Sequence, residues 1–439
     1  MKNALKKIGL FLFLVLVLVA WVMLPWVGAL ALAALLALWL LLSRRGGQAR
    51  SVAGVGISTL PQRLGSSAVI VVGIAGVVGV LVALLAMAEG YAETLRKSGS
   101  EDTAIVLRGA SAAEVASVMS REDITQIAQA VGVARNAKGE PLASAETVVA
   151  ANLPIRGTTT DEEGSVQVRG VGDEAFAVRP QVKIVEGRRF QPGLRELIVG
   201  KGAARQFAGL VPGQEIRLGS QKWVVAGVFS SGDAMESEIW GDAAVVAETY
   251  RRGSSRNSVT VRLTDAKAFE GFKAALAANP QLKVDVSTTL AFFAKQSESV
   301  TKVLRIIGIV VGAIMAIGAV FGALNTMFAA VATRAREIAT LRAIGFTGLP
   351  VVVAVMLETM LLALLGGLIG AAAAYLLFNG HAASTMAAGS VGKLSFELRV
   401  SAGLLWEGQK WALAIGFIGG LFPAVRAASQ PVTTALREL

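Results

Sequence analysis

The 439-residue chain contains no cysteine and a single histidine. The first absence excludes disulfide scaffolds, thiolate metal sites, cysteine nucleophiles and lipid attachment at an N-terminal cysteine. The second argues against imidazole-based metal catalysis. Because the one histidine is His381, the long stretch 89–302 has none from which to build a Ser/His/Asp constellation. Charge is also scarce, at 17% of residues, about two-thirds of the roughly one-quarter usual in soluble domains. Apolar residues take its place, 54% of the chain with a mean hydropathy of +0.60, and they argue against a soluble globule. Length permits two or three domains. The balance of 42 Lys+Arg against 31 Asp+Glu, a formal +11, would by itself point to nucleic acid, so its position along the chain matters.

Apolar runs occupy 8–42, 66–88, 306–331, 350–378 and 404–424. The first is uninterrupted for 35 residues with Pro25 near its middle. As one helix it would measure ~52 Å, well beyond a ~30 Å hydrocarbon core. It reads better as a hairpin of two short spans, 8–24 and 26–42, turning between Trp21 and Trp26 at interface depth. Lys2, Lys6 and Lys7 precede it as they would a signal peptide, but a second apolar run follows at once, which a signal peptide lacks. Six spans are expected.

Lys and Arg near the span ends set the orientation. They gather in 1–7, in 43–65 (Arg44, Arg45, Arg50, Arg63), in 332–349 and in the C-terminal tail. All four segments fall on one side, which makes both termini cytoplasmic and leaves 89–302 and the short loop 379–403 outside. Segment 89–302 holds 26 Lys+Arg and 26 Asp+Glu, so the whole +11 belongs to the membrane portion. Such basicity marks topology and contact with membrane lipids, and no nucleic acid is expected as a partner. The division expected is an additional N-terminal hairpin at 1–45, a cytoplasmic segment and first core span at 46–88, the outer domain at 89–302, and a membrane domain at 303–439.

The 214 residues of the outer domain can bury a core unaided, and their pattern is mixed α/β. Ser111-Ala112-Ala113-Glu114 has capping-box spacing and predicts a helix start. Ser120-Arg121-Glu122-Asp123 repeats the device loosely and predicts a helix to about Val131. Short β-branched runs predict strands at 146–150, 165–171, 181–185, 196–199, 214–218, 222–229, 257–263 and 283–286, with a helix near 265–278. From Leu290 to Ile307 there is no Gly or Pro, so one helix is expected over 289–331, ~64 Å long and about twice the bilayer core. Half of it, carrying Phe292, Phe293, Val300 and Val303, would stand outside as a stalk, and the first post-hairpin span would continue through 89–95 as a shorter one. The fold class expected is therefore an α-helical membrane protein of about six spans, with a large mixed α/β extracytoplasmic domain on helical stalks.

Between the 306–331 and 350–378 spans the sequence reads TRAREIATLRAIGFTG. Ile338, Leu341 and Ile344 recur every three residues on a short helix, beside Arg334, Arg336, Glu337 and Arg342, with Gly345 as a C-terminal stop. The residues alone leave two readings open, a helix lying on lipid and a helix docking a partner protein. The run REIATLRAIG, the following span with Glu358 and then Gly366-Gly367-Leu368-Ile369-Gly370, and the ending FPAVRAASQPVTTALREL together resemble the MacB/FtsX-type permeases of ATP-binding cassette (ABC) systems. The segment VEGRRFQPGLRELIVGKGAARQFAGLVPGQEIRLGSQKWVVAGVF resembles that family's extracytoplasmic core. The resemblance covers about 50–439, so the 8–42 hairpin is additional to the four spans it implies.

The resemblance implies that 334–345 is a coupling helix seated in a groove of a cytoplasmic ABC ATPase subunit. Ile338, Leu341 and Ile344 would then be the apolar contacts and Arg334, Arg336, Glu337 and Arg342 the polar ones, with Gly345 closing the helix. It also implies a second permease copy or homologous permease, a bacterial inner-membrane location, and in some systems a periplasmic adaptor. The nearest approach to a phosphate loop, Gly193 to Gly200-Lys201, has six intervening residues rather than four, and Gly202 stands where Ser or Thr should coordinate Mg²⁺. The chain is thus expected to be no enzyme and to bind no cofactor, with ATP and Mg on the partner.

Two further intramembrane polar residues are singled out, Asn325 and Glu358. The second lies eight residues past Pro350, where an ionised carboxylate should face protein or water rather than lipid. Proton coupling and an interhelical hydrogen bond are its two readings, and the resemblance favours the second. His381 reads as structural. Asp233, Glu236, Glu238 and Asp242 lack the ordered spacing of a Ca²⁺ loop. Glu407 and Lys410, between Trp406 and Trp411, are expected to snorkel to the outer interface. Mechanotransmission is the function implied, used for efflux or extraction of an amphipathic peptide, macrolide-like compound or lipoprotein. The alternative is a non-transporting regulator of an extracytoplasmic cell-wall hydrolase, and a more distant third is a receptor independent of ATP.

Overall fold

The computed structural model describes residues 17, 20, 21, 23–157, 162–386 and 392–430. Most of the expected first hairpin arm and residues 431–439 of the family-like ending lie outside them. In chain order the helices are α1 (Trp26–Leu42), α2 (Arg44–Ser58), α3 (Leu64–Lys97), α4 (Arg121–Ala128), α5 (Glu174–Val178), α6 (Lys201–Gln206), α7 (Ala243–Thr249), α8 (Ala268–Ala277), α9 (Thr289–Thr333), α10 (Ala335–Ala343), α11 (Gly348–Phe378) and α12 (Ala402–Ser429). The strands are β1 (Thr103–Arg108), β2 (Ala143–Pro154), β3 (Glu163–Val171), β4 (Lys183–Gly187), β5 (Glu196–Gly200), β6 (Glu215–Leu218), β7 (Gln221–Ser230), β8 (Glu238–Asp242), β9 (Ser258–Arg262), β10 (Val284–Thr288), β11 (Ala382–Met386) and β12 (Lys393–Glu397). The chain divides into two compact units, one of Met1–Ala86, Leu304–Asn379 and Arg399–Leu439, the other of Met87–Val303 and Gly380–Leu398.

In the first unit α3, α11 and α12 pack through small residues, as helices must where lipid tails are as apolar as leucine and only close backbone approach rewards contact. The Gly366-Gly367-Leu368-Ile369-Gly370 run is where α3 crosses α11. A Cβ on Gly370 would fall 2.4 Å from the Ala75 carbonyl oxygen, and one on Gly366 would fall 2.9 Å from that of Val71. Ile74, Val78, Leu81, Leu362, Ala363, Ala412 and Ile415 fill the core around that crossing.

Among the described residues four helices, one comprising α3 with the turn before it and the others α9, α11 and α12, are long and apolar enough to cross a membrane, or five if α1 and α2 form one broken span. The first of the six expected spans, 8–24, lies almost wholly outside those residues. α1 starts directly after Pro25, but at Ser43 the chain bends by 99° into α2. Ser43 accepts from the Gly46 amide and caps α2, and the segment 43–65 is mostly helical. Lys410 corrects another expectation. It is 5% exposed and donates to Glu407 at 2.8 Å, one turn back on α12, because a partner within reach removes the need to extend toward water.

The second unit is built on one sheet of order β10-β1-β9-β2-β3-β8-β5-β7-β4, with β6 on β7. β2 belongs to both halves of it. Its residues 143–146 pair with β9 and its residues 147–154 with β3. One half closes over Val106, Met119, Ile127, Val259 and Phe272, the other over Phe207, Trp223, Val225 and Val246.

Ser120 and Asp123 form a reciprocal capping box and α4 follows. Ser111 does not cap a helix, and only a 3₁₀ turn appears at Glu114–Ala116. Glu114 is buried and turned toward Arg169 and Ser258, so it cannot also reach back to cap. The short loop 379–403 contains the β11–β12 hairpin, whose Lys393-Leu394-Ser395-Phe396-Glu397 alternation is a strand signal. Strand β1 (TAIVLR) is buried on both faces, so its residues carry no alternation to announce it.

Candidate functional site

The coupling segment is a helix of nine residues, Ala335–Ala343, following the long α9 after a break at Arg334. It ends in a Schellman motif. The Gly345 amide donates to Arg342 O at 3.2 Å and the Phe346 amide to Leu341 O at 3.1 Å, with Gly345 at φ 108° where a side chain would be strained. The apolar pair that accompanies such a cap is present, Leu341 and Phe346 packing on Val52, Ala53 and Ala354.

This cap fixes which face of the helix is free. Residues spaced by three drift about 60° per step around a helix of 3.6 residues per turn, so the stripe Ile338, Leu341, Ile344 turns by about 120° over its length. Ile338 is 6% exposed in the membrane-unit core and Leu341 is half-buried, while Ile344 is 69% exposed. The expectation that all three meet a partner is corrected: two serve the chain's own packing and Ile344 stands out beside the exposed Arg336, Glu337 and Thr340. Arg342 donates to the Gln430 carbonyl just past α12. Arg334, its side chain 13% exposed, donates to Glu358, which is 4% exposed. Of the two readings of Glu358, an interhelical hydrogen bond and proton coupling, the structure shows a hydrogen bond from Arg334, whose backbone lies in the break between α9 and α10. Asn325 lies on an exposed face of α9.

The four expected stalk residues lie in the second unit. Phe293 is buried and Val300 half-buried against the cluster of Tyr91, Leu95, Trp240 and Phe396, Phe292 meets Phe293 ring to ring at 5.3 Å, and Val303 is 56% exposed. Tyr91 near the end of α3 stands edge-on to Phe396 of β12 at 5.6 Å. The first turns of α9 are held in their unit's aromatic core.

A cluster that sequence reasoning missed sits where β2 passes from β9 to β3. Arg169 is fully buried and directs all its guanidinium donors at carboxylates. Nε reaches Glu238 at 2.7 Å, Nη1 reaches Glu114 at 2.9 Å and Glu146 at 2.7 Å, and Nη2 reaches Glu238 at 2.8 Å and Glu114 at 3.0 Å. Arg179 holds the other side of Glu146 and donates to Thr260 at 3.0 Å. Burial pushes the Glu146 carboxyl up, but Arg179 and Arg169 outweigh it and hold it below its ordinary value. Burial likewise works against the Arg169 cation, and Glu114, Glu238 and Glu146 more than restore it. The partners lie 55, 23 and 69 residues from Arg169, too far apart for any local motif to reveal them.

A cavity of about 420 Å³ opens beside this cluster, its wall shared by Arg169, Arg179, Glu114 and Arg262. Arg262 is itself paired with Asp102 at 3.2 Å. The acidic run at 233–242 disperses to separate tasks. Asp233 caps a 3₁₀ turn, Glu236 receives the Ser231 and Gly232 amides, Glu238 serves Arg169 and Asp242 caps α7. Among the described residues no group of three or more His, Cys, Asp or Glu could hold a metal.

Comparison with known proteins fits this division. Residues 67–279 match the MacB-like periplasmic core domain and residues 309–432 the FtsX-like permease C-terminal domain. The uncharacterized ABC transporter permease YknZ of Bacillus subtilis is 25% identical over 307 residues, 66% of this chain and 75% of that protein. The macrolide export ATP-binding/permease protein MacB of Photorhabdus laumondii is 25% identical over 313 residues, 66% of this chain but 47% of that protein. Among solved structures, the extracellular domain of YknZ aligns over 42% of this chain and 100% of the domain, at 18% identity and a TM-score of 0.32. The periplasmic region of MacB from Actinobacillus actinomycetemcomitans aligns over 43% of this chain and 89% of that region, at 14% identity and a TM-score of 0.33. These superpositions are loose, and the two family models carry the assignment. The architecture is that of a permease with a periplasmic domain. The chain belongs to the MacB/FtsX-type family of ABC transporter permeases.

Proposed function

We propose that the chain is the permease subunit of an ABC system in which a separate cytoplasmic ATPase grips α10 and moves the periplasmic unit by mechanotransmission. The observation that carries this reading is Ile344, 69% exposed at the end of a helix whose two large apolar residues, Ile338 and Leu341, are turned inward. An isolated apolar side chain ringed by Arg336, Glu337 and Thr340 has the character of an anchor for a groove, apolar at its centre and polar at its rim. Arg44, Arg45, Arg50 and Arg63 lie in the segment between α1 and α3, and with Arg336 and Arg342 they support a cytoplasmic position for both this segment and α10.

Two permease copies would each present one α10 to one of two ATPase subunits. Closure of the ATPases on ATP pushes both helices, and α9, unbroken from Thr289 to Thr333, is a lever long enough to carry the push through the bilayer. The movement is read as serving export or extraction of an amphipathic cargo handed to a periplasmic adaptor, with regulation of an extracytoplasmic cell-wall hydrolase as the alternative; the MacB-like periplasmic core match across 67–279 is compatible with either.

The test uses the full chain, tagged and purified from its own membranes. ATP hydrolysis should co-purify with it and be lost with Ile344→Asp while the permease remains monodisperse. Unchanged hydrolysis with the variant would reject α10 as the docking site. For orientation, the absence of native cysteine allows clean labelling. A cysteine at Lys138 should react with an impermeant thiol reagent in spheroplasts and one at Ser51 should not, and the reverse would overturn the topology.

A further inference from the structure

We propose that Glu358 is the joint that positions the ATPase-facing helix, holding α10 through Arg334 and tying to it, through Arg63, the segment that precedes the first long span. This deepens the docking reading above and rests on it.

The joint gathers four pieces of the first unit. Glu358 comes from the second turn past Pro350 of α11. Its Oε2 accepts from Arg334 Nη1 at 3.1 Å, and its Oε1 lies 4.0 Å from Arg63 Nη2. Arg63 closes the 3₁₀ turn Leu60–Arg63 and also donates to Thr59 Oγ1 at 2.9 Å. The fourth piece is Gly56 of α2, where a Cβ would fall 2.8 Å from Glu358 Oε2 and 3.1 Å from Arg334 Nη1. A Cβ at Gly56 would have to displace the Glu358 carboxylate or the Arg334 guanidinium, so the glycine leaves room for the ion pair against α2. Val52 and Ala53 of α2 meet Ala354 of α11 in the same apolar cluster as Leu341 of α10. The charged joint and the apolar contact thus hold the same segments together.

Arg334 makes this more than an anchor. It is the only residue between α9 and α10, and its backbone (φ −105°, ψ 7°) is not helical, so it is the elbow between the lever and the docking helix. Pinning the elbow side chain fixes the angle of α10. Arg334 Nε also donates to Glu337 Oε2 at 3.3 Å, but that carboxylate is 60% exposed, whereas Glu358 is buried between the two guanidiniums, and neutralising it leaves Arg334 and Arg63 facing each other without the charge that lies between them. Movement of α10 at the ATPase therefore has to pull on Glu358, and through it on α11 and α2, or break the joint.

The test reads α10 directly in the full chain, reconstituted in lipid nanodiscs without ATPase. One nitroxide is placed on a cysteine at Thr340, an exposed position with no competing native thiol. Glu358→Gln should raise the mobile fraction of the spectrum on the order of tenfold, since a buried charge pair has lost one partner. Arg334→Gln should do the same and Arg334→Lys should stay close to wild type. The double variant Glu358→Gln/Arg334→Gln should be no more mobile than either single one, because both remove the same interaction. A spectrum unchanged by Glu358→Gln, or effects of the two that add, overturns the proposal. If Glu358→Gln does not insert, the Lys and Gln variants of Arg334 decide alone, equal spectra counting against it. Failure of the docking reading looks different: Ile344→Asp would keep its ATPase while the nitroxide result stood.

Discussion

In the periplasmic unit one guanidinium is held by three carboxylates; in the membrane unit one carboxylate is held by two guanidiniums. Arg169 places five donors on Glu114, Glu146 and Glu238 at 2.7–3.0 Å and retains nothing to exchange. Glu358 has one bond of 3.1 Å and one ion pair at 4.0 Å, to side chains 13% and 23% exposed. The first arrangement locks two halves of a sheet where β2 changes partners, the rigidity that the proposed mechanism needs of this unit. The second has fewer and longer contacts, and its two guanidiniums are more exposed than Arg169, as the proposed joint at α10 requires. The same residue types serve rigidity in one place and articulation in the other, and the count of partners and their distance make the difference.

Four substitutions or conditions can break that comparison. The largest effect is expected from Arg169→Met, which leaves Glu114 and Glu238 buried with no cation of their own. Removing one side of such a buried pair costs about 3–5 kcal/mol, and denaturant unfolding of the full chain should show the periplasmic transition shifted by that much. A shift under about 1 kcal/mol would mean the cluster is hydrated and not a lock. Glu358→Gln should cost less global stability, about 1–2 kcal/mol, because the guanidiniums it unpairs are partly exposed, whereas Arg169→Met unpairs carboxylates that are almost wholly buried. An equal or larger loss than Arg169→Met would erase the distinction between lock and joint.

Acid sharpens the same point. Glu146 is held below its ordinary value of 4.5, so its contribution is fully present above about pH 4.5 and is lost as pH falls through its lower folded-state value. Asp233 runs the other way, since burial raises its carboxyl, and the proton it takes up in the folded state opposes part of the acid loss. Periplasmic-unit stability should accordingly hold to pH 5 and fall below pH 4.5, and Glu146→Gln should flatten that fall. A titration unaltered by Glu146→Gln would show that other carboxylates govern it. The smallest effect belongs to Lys222→Met. Its partner Glu215 is 3.0 Å away, but both side chains are more than half exposed, so the change should lie within about 0.5 kcal/mol. A larger one would mean that exposure is a poor guide to ion-pair strength in this fold.

The features legible in the sequence were those written over short distances. The absence of Gly and Pro from Leu290 to Ile307 announced α9, and its course from Thr289 to Thr333 follows from it. Ser120 with Asp123 announced α4, and Gly345 announced the end of α10. Ser111 carried the same capping signal as Ser120 and misled, because Glu114 is claimed by Arg169 and by Ser258, 144 residues away. The Ile338, Leu341, Ile344 stripe located the helix but not its free face, since that depended on where Val52, Ala53 and Ala354 lie. Arg169, Glu146 and Glu238 could not be read at all, as their meeting is a product of sheet order. Glu358 was recognisable as a buried acid in need of a partner, yet nothing local named Arg334 or Arg63.

The central claim is that α10 presents Ile344 outward to an ATPase while Ile338 and Leu341 hold the helix to its own chain. It is tested most directly by comparing Ile344→Asp with Leu341→Asp in the tagged full chain from native membranes, measuring ATP hydrolysis and monodispersity together. The structure predicts that Ile344→Asp leaves a monodisperse permease without ATPase, whereas Leu341→Asp damages the permease itself. A monodisperse Ile344→Asp permease that keeps its full ATPase activity would contradict the account.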